Sequence, residues 1–246
     1  LTTLPLKINQ QSVMSTKKLV IGEFVKEQIK RWETADAKED TKGEVRISVL
    51  TVSMEPGSGG SSLAEVTAKR LGFDYFNRDI VEGIAKSAQI RASVIDTLEK
   101  ERLSGIQDFI SSLIKEHYIY PGIYLEHLLK IISTIGKHGR AVIVGRGANF
   151  ILPPNERFSI RVVAPLELRI QNVARRYGVT IEKAKQRVIG RESKRRAFVR
   201  QSFNADISDP KNYDLTINTA RMSIEDGVNA VIGAVVGIPK IGERTP

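Results

Sequence analysis

The feature of this sequence that most restricts its fold is a strand, a glycine-rich turn and a helix in immediate succession. Residues 45–53, VRISVLTVS, are rich in β-branched side chains and predict a buried strand. Three glycines follow within residues 57–60, and residues 61–71 have the apolar spacing of a helix. Such a turn directs backbone N–H groups and the positive end of the helix dipole toward one point, so the segment predicts a phosphate site. The alternative interpretation is a tight turn without a ligand.

The turn departs at two positions from the phosphate-binding pattern G-x-x-x-x-G-K-[ST]. Met54 stands where the pattern has its first glycine, and Gly60 stands where it has the lysine. That lysine normally places a positive charge beside the β- and γ-phosphates. Ser61 and Ser62 still offer hydroxyl groups for Mg²⁺. The sequence therefore raises the question of whether the chain transfers phosphate or only holds a nucleotide.

Strands and helices alternate along the rest of the chain. Further apolar runs that predict strands lie at residues 72–76, 140–147, 157–165 and 213–219. This alternation predicts a three-layer α/β/α fold with a mostly parallel sheet of about five strands. In such sheets ligands bind beyond the carboxyl ends of the strands. Here the relevant places follow Ser53, Val144 and Val163.

The formal net charge of +10 predicts anionic partners. The excess is local, because residues 156–200 hold 13 Lys and Arg against four Glu. A local cluster favours a small polyanion over nucleic acid as the partner. The chain has no cysteine, which excludes disulfides and cysteine-based metal sites and agrees with a cytoplasmic location. No apolar run approaches the roughly 20 residues that span a bilayer, so we expect no membrane partner.

Residues 1–44 precede the predicted sheet and divide into three parts. Residues 1–17 predict a loose arm, and residues 18–34 a helix with an apolar stripe that carries the single tryptophan. Residues 33–44 predict an exposed linker. The helix either packs on the main domain or forms a contact with a partner, including a second copy of the chain in a homo-oligomer. Residues 238–246 predict a C-terminal tail.

The chain resembles the cytidylate kinase-like branch of the P-loop nucleoside monophosphate kinases over about residues 45–237. The resemblance rests on GSGG followed by a helix, LGFDYFNRDIV, VIVGRGANFIL, VVAPLELRI, the basic stretch 191–200 and DPKNYDLTINTARMSIEDGV. Members of this branch also lack the lysine. The resemblance implies one domain, with an acceptor-binding helical insert at about 79–138 and a lid at about 179–205.

The resemblance implies Mg²⁺-dependent transfer of the γ-phosphoryl group of ATP to a nucleoside monophosphate or similar small phosphorylated acceptor. The ATP phosphates are then expected at Gly57, Ser58, Gly59, Gly60, Ser61 and Ser62, with Ser61 or Ser62 at Mg²⁺. The acceptor is expected at Arg78, Asp79 and Arg146. The catalytic cations of the lid are expected to be Arg191, Lys194, Arg195, Arg196 and Arg200. Asn218 and Thr219 are expected beside the adenine.

We hypothesise that arginines of the lid replace the missing lysine. The basic stretch has two alternative interpretations, a solvated helix face and a nucleic-acid contact. Arg146 has the alternative role of a structural salt bridge, and Asp79 that of a helix N-cap. Cytidylate kinases carry acidic residues near the GR step and in the lid, where this chain has Val144, Gly147 and Arg195. The acceptor thus stays open between a nucleotide and another phosphorylated or hydroxyl-bearing molecule.

Two other functions compete with that of a kinase. The absent lysine favours a nucleotide-binding regulatory protein with weak or no turnover. The charge of residues 183–200 favours a nucleic-acid-binding protein.

Overall fold

A five-stranded parallel sheet forms the centre of the molecule. The computed structural model describes residues 10–35, 48–98, 100–116 and 122–237. The strands are β1 (Val49–Met54), β2 (Asp74–Phe76), β3 (Ala141–Val144), β4 (Phe158–Val163) and β5 (Leu215–Asn218). Their order is β2-β3-β1-β4-β5, and every neighbouring pair is parallel. The predicted α/β fold with a parallel sheet of about five strands is confirmed.

Helices cover both faces of this sheet. They are α1 (Gln10–Ala35), α2 (Gly60–Leu71), α3 (Arg78–Lys86), α4 (Ala88–Ile95), α5 (Lys100–Glu116), α6 (Ile123–His138), α7 (Ala148–Ile151), α8 (Leu166–Tyr177), α9 (Ile181–Phe203) and α10 (Ile224–Gly237). Short 3₁₀ turns lie at Pro154–Glu156 and Pro210–Asn212. Within the described ranges, no helix has both the length and the hydropathy needed to cross a membrane.

The two faces of the sheet differ in polarity. Side chains alternate between the faces along each strand, so Leu50 and Val52 of β1 pack with α2 and α10 in one apolar cluster. Thr51 and Ser53 point to the other face, together with Ser159 of β4. The Thr51 and Ser159 hydroxyl oxygens lie 2.9 Å apart. A strip of polar groups therefore runs between β1 and β4 toward the carboxyl end of the sheet.

Helix α1 packs on the domain, as the first interpretation of this segment predicts. Trp32 is buried and stacks on His138, with ring centroids 4.0 Å apart and planes 3° from parallel. Arg31 forms an ion pair of 3.0 Å with Asp74 at the start of β2. The helix begins at Gln10, whereas the sequence predicts a start near residue 18. The first turn of a helix is costly to form, but once packing on the domain has stabilised one part of α1, adding further turns is favourable. Most of the predicted arm and linker and the tail at 238–246 lie outside the described residues.

The predicted lid is a single helix, α9. Thr180 is its N-cap and accepts a hydrogen bond from the Lys183 N–H. Its first half packs on α8 through a small apolar cluster that includes Val173 and Val188. Its last residue, Phe203, is buried against Gly147, where an added Cβ would lie 2.3 Å from the ring. Both ends of the helix are thus held against the domain.

Candidate active site

Two cavities lie at the carboxyl ends of β1 and β3, two of the three strand ends at which the sequence predicts ligands. The loop pocket, of about 180 Å³, is bounded by the glycine turn, α8 and α9. The arginine pocket, of about 290 Å³, is bounded by β1, β3, the turn after β3 and α9. Met54, Arg191 and Arg195 line both cavities. The cavities therefore adjoin each other along one shared wall.

The glycine turn is shaped for close backbone packing. Gly57 has φ +87°, and a Cβ there would lie 2.4 Å from the Arg169 carbonyl oxygen. Gly59, with φ +81°, is the N-cap of α2 and provides no side-chain cap. The N–H groups of the first turn of α2 therefore lack a capping side chain beside the loop pocket, the arrangement that favours an anion.

Ser58 holds the turn in shape and does not present its hydroxyl group to the loop pocket. The side chain is buried, and its Oγ lies 2.9 Å from the Glu55 carbonyl oxygen. The Ser58 N–H donates to the same carbonyl at 3.1 Å. The Ser58 carbonyl oxygen accepts a hydrogen bond of 2.8 Å from the Thr219 hydroxyl group. This hydrogen bond places Thr219 beside the glycine turn.

The packing around Gly60 explains why the turn has no lysine. A Cβ at this position would lie 2.6 Å from the Met54 Cβ and 3.1 Å from the Val162 Cβ. Both atoms belong to strands of the sheet and have little freedom to move. The start of α2 therefore packs so close to the sheet that no side chain fits at position 60.

The two serines that follow differ in position. Ser61 lines the loop pocket, and its Oγ contacts only the weakly accepting Met54 Sδ, at 3.4 Å. Ser62 is exposed and lies outside the lining of this cavity. Among the described residues there is no cluster of three His, Cys, Asp or Glu side chains. Mg²⁺ in nucleotide sites uses few protein ligands besides phosphate oxygens and water, so a single hydroxyl group at Ser61 fits such an ion.

The side chain of Arg195 lies in the wall that the two cavities share. Its Nη1 donates a hydrogen bond to the carbonyl oxygen of Met54, at the end of β1. Burial, together with the charges of Arg78, Arg161, Arg191 and Arg146, lowers the pKa of Arg195 to about 10. Several guanidinium groups therefore act on one another here, which favours a bound polyanion.

The other predicted cations of the lid divide between two faces of α9. Arg191 lines both cavities and lies 5.5 Å from the Tyr177 ring, and Lys194 lines the arginine pocket. Arg196 instead forms an ion pair of 3.1 Å with Glu192. Arg196 and Arg200 are exposed and line neither cavity.

A series of ion pairs joins the lid to the glycine turn. Buried Arg169 of α8 lies 2.9 Å from Glu192 of α9 and 3.2 Å from Glu55 of the turn. Glu55 also accepts a hydrogen bond from the Ala164 N–H, just after β4. Burial raises the pKa of Glu192, but the hydrogen bonds and charges of Arg169 and Arg196 together outweigh this effect and hold the pKa below its usual value. Glu192 thus stays charged and ties α9 to α8.

Arg146 occupies an unusual backbone position at the turn after β3. Gly145, Arg146 and Gly147 all have positive φ, of 75°, 57° and 72°. The guanidinium group of Arg146 pairs with Glu82 of α3 and lines the arginine pocket, and its buried Nε has no hydrogen-bond partner in the part of the chain that the structure describes. Burial raises the pKa of Glu82, but the hydrogen bond from Lys86 and the charges of Arg146, Lys86 and Arg78 together outweigh this effect and hold the pKa below its usual value. Arg146 therefore makes the structural salt bridge and also lines the cavity.

The two other residues predicted at the acceptor are placed differently. Arg78 lines the arginine pocket and lies 3.8 Å from Glu82. Asp79 is exposed and does not line this cavity. The cap of α3 is Asn77, whose Oδ1 accepts hydrogen bonds from the N–H groups of Asp79 and Ile80, so the N-cap interpretation of Asp79 is wrong.

We expect Arg146→Gly to separate the effect of backbone strain at position 146 from the effect of the guanidinium charge. A left-handed arginine costs about 1 kcal/mol or more, and glycine removes this strain. The relief offsets the lost ion pair, so the free energy of unfolding should change by no more than about 1 kcal/mol. The acceptor KM should rise about 10- to 100-fold, because an anion then loses a charged hydrogen bond. Denaturant titration and steady-state kinetics measure the two effects.

The matched control is Arg140→Gly, since Arg140 also has a positive φ, of 46°, but precedes β3 at the opposite end of the strand. This variant should relieve strain and leave the acceptor KM unchanged. If Arg146→Gly unfolded much more easily with an unaltered KM, the salt bridge to Glu82 would be the sole role of Arg146.

Sequence reasoning missed several polar residues of the arginine pocket. Buried Asn149 and Ser53 line this cavity. The side chain of Arg161 lies behind Ser53 and donates a hydrogen bond to its Oγ. Arg161 and Ser159 interrupt an otherwise apolar strand at alternate positions. This alternation is the signal that predicts a polar strip on one face of the sheet.

The geometry agrees with comparisons to known proteins. The profile of the cytidylate kinase-like family matches residues 49–221, well over half of the chain. The cytidylate kinase of Pyrococcus furiosus is 30% identical over 188 residues, which cover 76% of this chain and 88% of that protein. The cytidylate kinase of Methanocaldococcus jannaschii is 25% identical over 195 residues, covering 78% of this chain and 99% of that protein.

A solved structure supports the fold. An uncharacterized protein from Eubacterium ventriosum aligns with a TM-score of 0.55 and 17% identity, covering 77% of this chain and 99% of that chain. The sheet order, the glycine turn and the arginines of the two cavities occur in the part of the chain that the family profile covers. This chain belongs to the cytidylate kinase-like family.

Proposed function

We propose that this protein transfers the γ-phosphoryl group of ATP to a nucleoside monophosphate. Membership of the family supports a nucleotide kinase activity. The observation that carries the proposal is the wall shared by the two cavities, formed by Met54, Arg191 and Arg195. Phosphoryl transfer requires a donor and an acceptor in line, with cations around the oxygens of the group in transfer. Two adjoining cavities with arginines between them meet this requirement.

The loop pocket is the proposed site of the ATP phosphates. The uncapped first turn of α2 offers backbone N–H groups and a positive dipole end, and Gly57 and Gly59 allow the chain to turn tightly around an anion. The Ser61 hydroxyl group would hold Mg²⁺, with phosphate oxygens and water as the other ligands. When bound, this ion neutralises charge on the β- and γ-phosphates.

The arginine pocket is the proposed site of the acceptor. Arg78 and Arg146 hold the acceptor phosphate, and the ion pair with Glu82 fixes both guanidinium groups at one side of the cavity. Arg195 lies between this phosphate and the loop pocket. A guanidinium group there neutralises charge that develops on the equatorial oxygens during transfer. Arg195 and Arg191 thereby supply the charge that position 60 has no room to supply.

The test is the release of ADP from ATP in the presence of CMP, UMP, AMP or GMP, measured with a coupled assay. We expect release that depends on at least one of these acceptors and on Mg²⁺. Release without an acceptor measures the ATPase background. Calorimetric titration of the same preparation with ATP measures whether the protein binds ATP.

A regulatory protein without turnover is the second candidate, and the packing at Gly60 favours it because the usual cation is absent from the turn itself. It predicts binding of nucleotide without ADP release for any acceptor. That result would contradict the proposed kinase activity.

A further inference from the structure

Arg161 is a buried arginine that the proposed mechanism does not use. It lies in β4 and is only 7% exposed. The register pairs it with Ser53 of β1, and its Nη1 donates a hydrogen bond of 2.8 Å to the Ser53 Oγ. The guanidinium carbon lies 5.7 Å from the centre of the Tyr213 ring. The side chain therefore extends over the polar face of the sheet toward its carboxyl end.

The charge of Arg161 has no counter-ion among the described residues. No carboxylate of the described residues lies within 4.0 Å of its guanidinium group. A hydroxyl group and an aromatic ring are its observed partners, and a guanidinium group has five N–H donors. Because a buried and unpaired charge is costly, a fold keeps one where an anion neutralises it in the functional state.

The position of Arg161 indicates which anion this is. Its partner Ser53 lines the arginine pocket. After burial itself, the charges that lower the pKa of Arg195 include those of Arg78, Arg161 and Arg146, so each of these groups is near enough to act at the Arg195 guanidinium group. Arg161 approaches this point from the sheet, whereas Arg78 and Arg146 approach it from α3 and the turn after β3. Such a convergence fits a dianion better than a neutral hydroxyl compound.

We propose that Arg161 is a further acceptor-binding residue, whose guanidinium group, held behind Ser53 on the sheet side of the arginine pocket, binds an oxygen of the acceptor phosphate. The inference rests on the proposed function and excludes the acceptors with only hydroxyl groups that the sequence leaves open. An acceptor with only hydroxyl groups would leave the charge of Arg161 unneutralised.

The test compares Arg161→Met with wild-type protein in calorimetric titrations. The probes are CMP, UMP, AMP and GMP and the corresponding nucleosides without phosphate. Methionine removes the charge and keeps much of the volume. We expect the affinity for the monophosphate that wild type binds most tightly to fall about 10- to 100-fold, the range of one charged hydrogen bond. Binding of its nucleoside should not change. Arg161→Lys should recover part of the lost affinity.

Arg157→Met is the matched control. Arg157 precedes the same strand at its amino end, where its Nε donates to the Leu152 carbonyl oxygen at 2.9 Å. This variant should bind the monophosphate like wild type. Without ligand, Arg161→Met should melt at the wild-type temperature or above it, because it removes an unpaired buried charge.

Three results would overturn the inference. Unchanged affinity of Arg161→Met for the monophosphate would place Arg161 outside the acceptor site. Equal losses for monophosphate and nucleoside would assign it to another part of the acceptor. A much lower melting temperature without ligand would make it a structural tie. Binding is measured without turnover, so absent ADP release would contradict only the proposed function, whereas failure of wild type to bind any monophosphate would contradict both.

Discussion

Arg195→Met is expected to lower kcat by about 10³-fold or more while the affinity for ATP changes little. Arg195 lines both cavities and donates to the carbonyl oxygen of Met54, so its charge lies where donor and acceptor phosphates would meet. An arginine that stabilises charge only in the transition state contributes about 10³ to 10⁵ in rate in related reactions. Because the turn itself has no lysine, the remaining side chains offer little compensation.

The measurement is steady-state ADP release together with calorimetry of ATP binding. Equal losses in kcat and kcat/KM would show that Arg195 acts in the transition state. Lys185→Met is the matched control, since Lys185 is an exposed cation of the same helix and lies outside both cavities. It should keep wild-type kcat. Turnover of Arg195→Met near that of wild type would disprove the replacement of the lysine by the lid.

The sequence predicts the fold and two strand ends at which cavities lie, for a physical reason. Strands, helices and their caps depend on local periodicity and turn chemistry, and the carboxyl ends of parallel strands meet at one edge of the sheet. The place after Val144, where one cavity lies, was accessible in this way.

Which lid side chains point into the cavities depends on how α9 is oriented on the domain. Helical spacing shows only which of them share a face of the helix. Arg191 and Arg195 are four residues apart and share a face, and Glu192 and Arg196 pair in the same way on the next face. Charge alone does not distinguish these faces. The expectation that Arg196 and Arg200 act with the others at the site therefore gains no support from their placement.

The role of Arg161 depends on contacts between distant segments. Ser53 and Tyr213 meet it only because β1 and β4 are neighbours and the segment before β5 returns to the same edge. Periodicity assigns Arg161 to a strand but does not show whether a carboxylate faces it. The absence of a nearby counter-ion among the described residues is a property of the folded chain.

The last prediction concerns restoration of the standard lysine by Gly60→Lys. We expect this variant to gain no activity and to lose about 3 kcal/mol of stability, because its Cβ would lie 2.6 Å from the Met54 Cβ. A loss of this size lowers Tm by about 6–12 °C in a chain of this length. The start of α2 must also move away from the sheet, which displaces the N–H groups proposed to bind phosphate, so ATP affinity should fall as well.

Two alanine variants show whether space or charge decides this outcome. Gly60→Ala adds only the Cβ and should reproduce most of the loss in Tm, which thermal melts measure. Gly233→Ala is the control, since no atom lies within 4 Å of a Cβ at this position in α10, and it should stabilise the protein by about 0.5–1 kcal/mol. If Gly60→Lys instead melted like wild type and raised kcat, packing would not be the reason for the glycine. Under the expected result, the same close contact between α2 and the sheet that removes the lysine makes the arginines of α9 necessary.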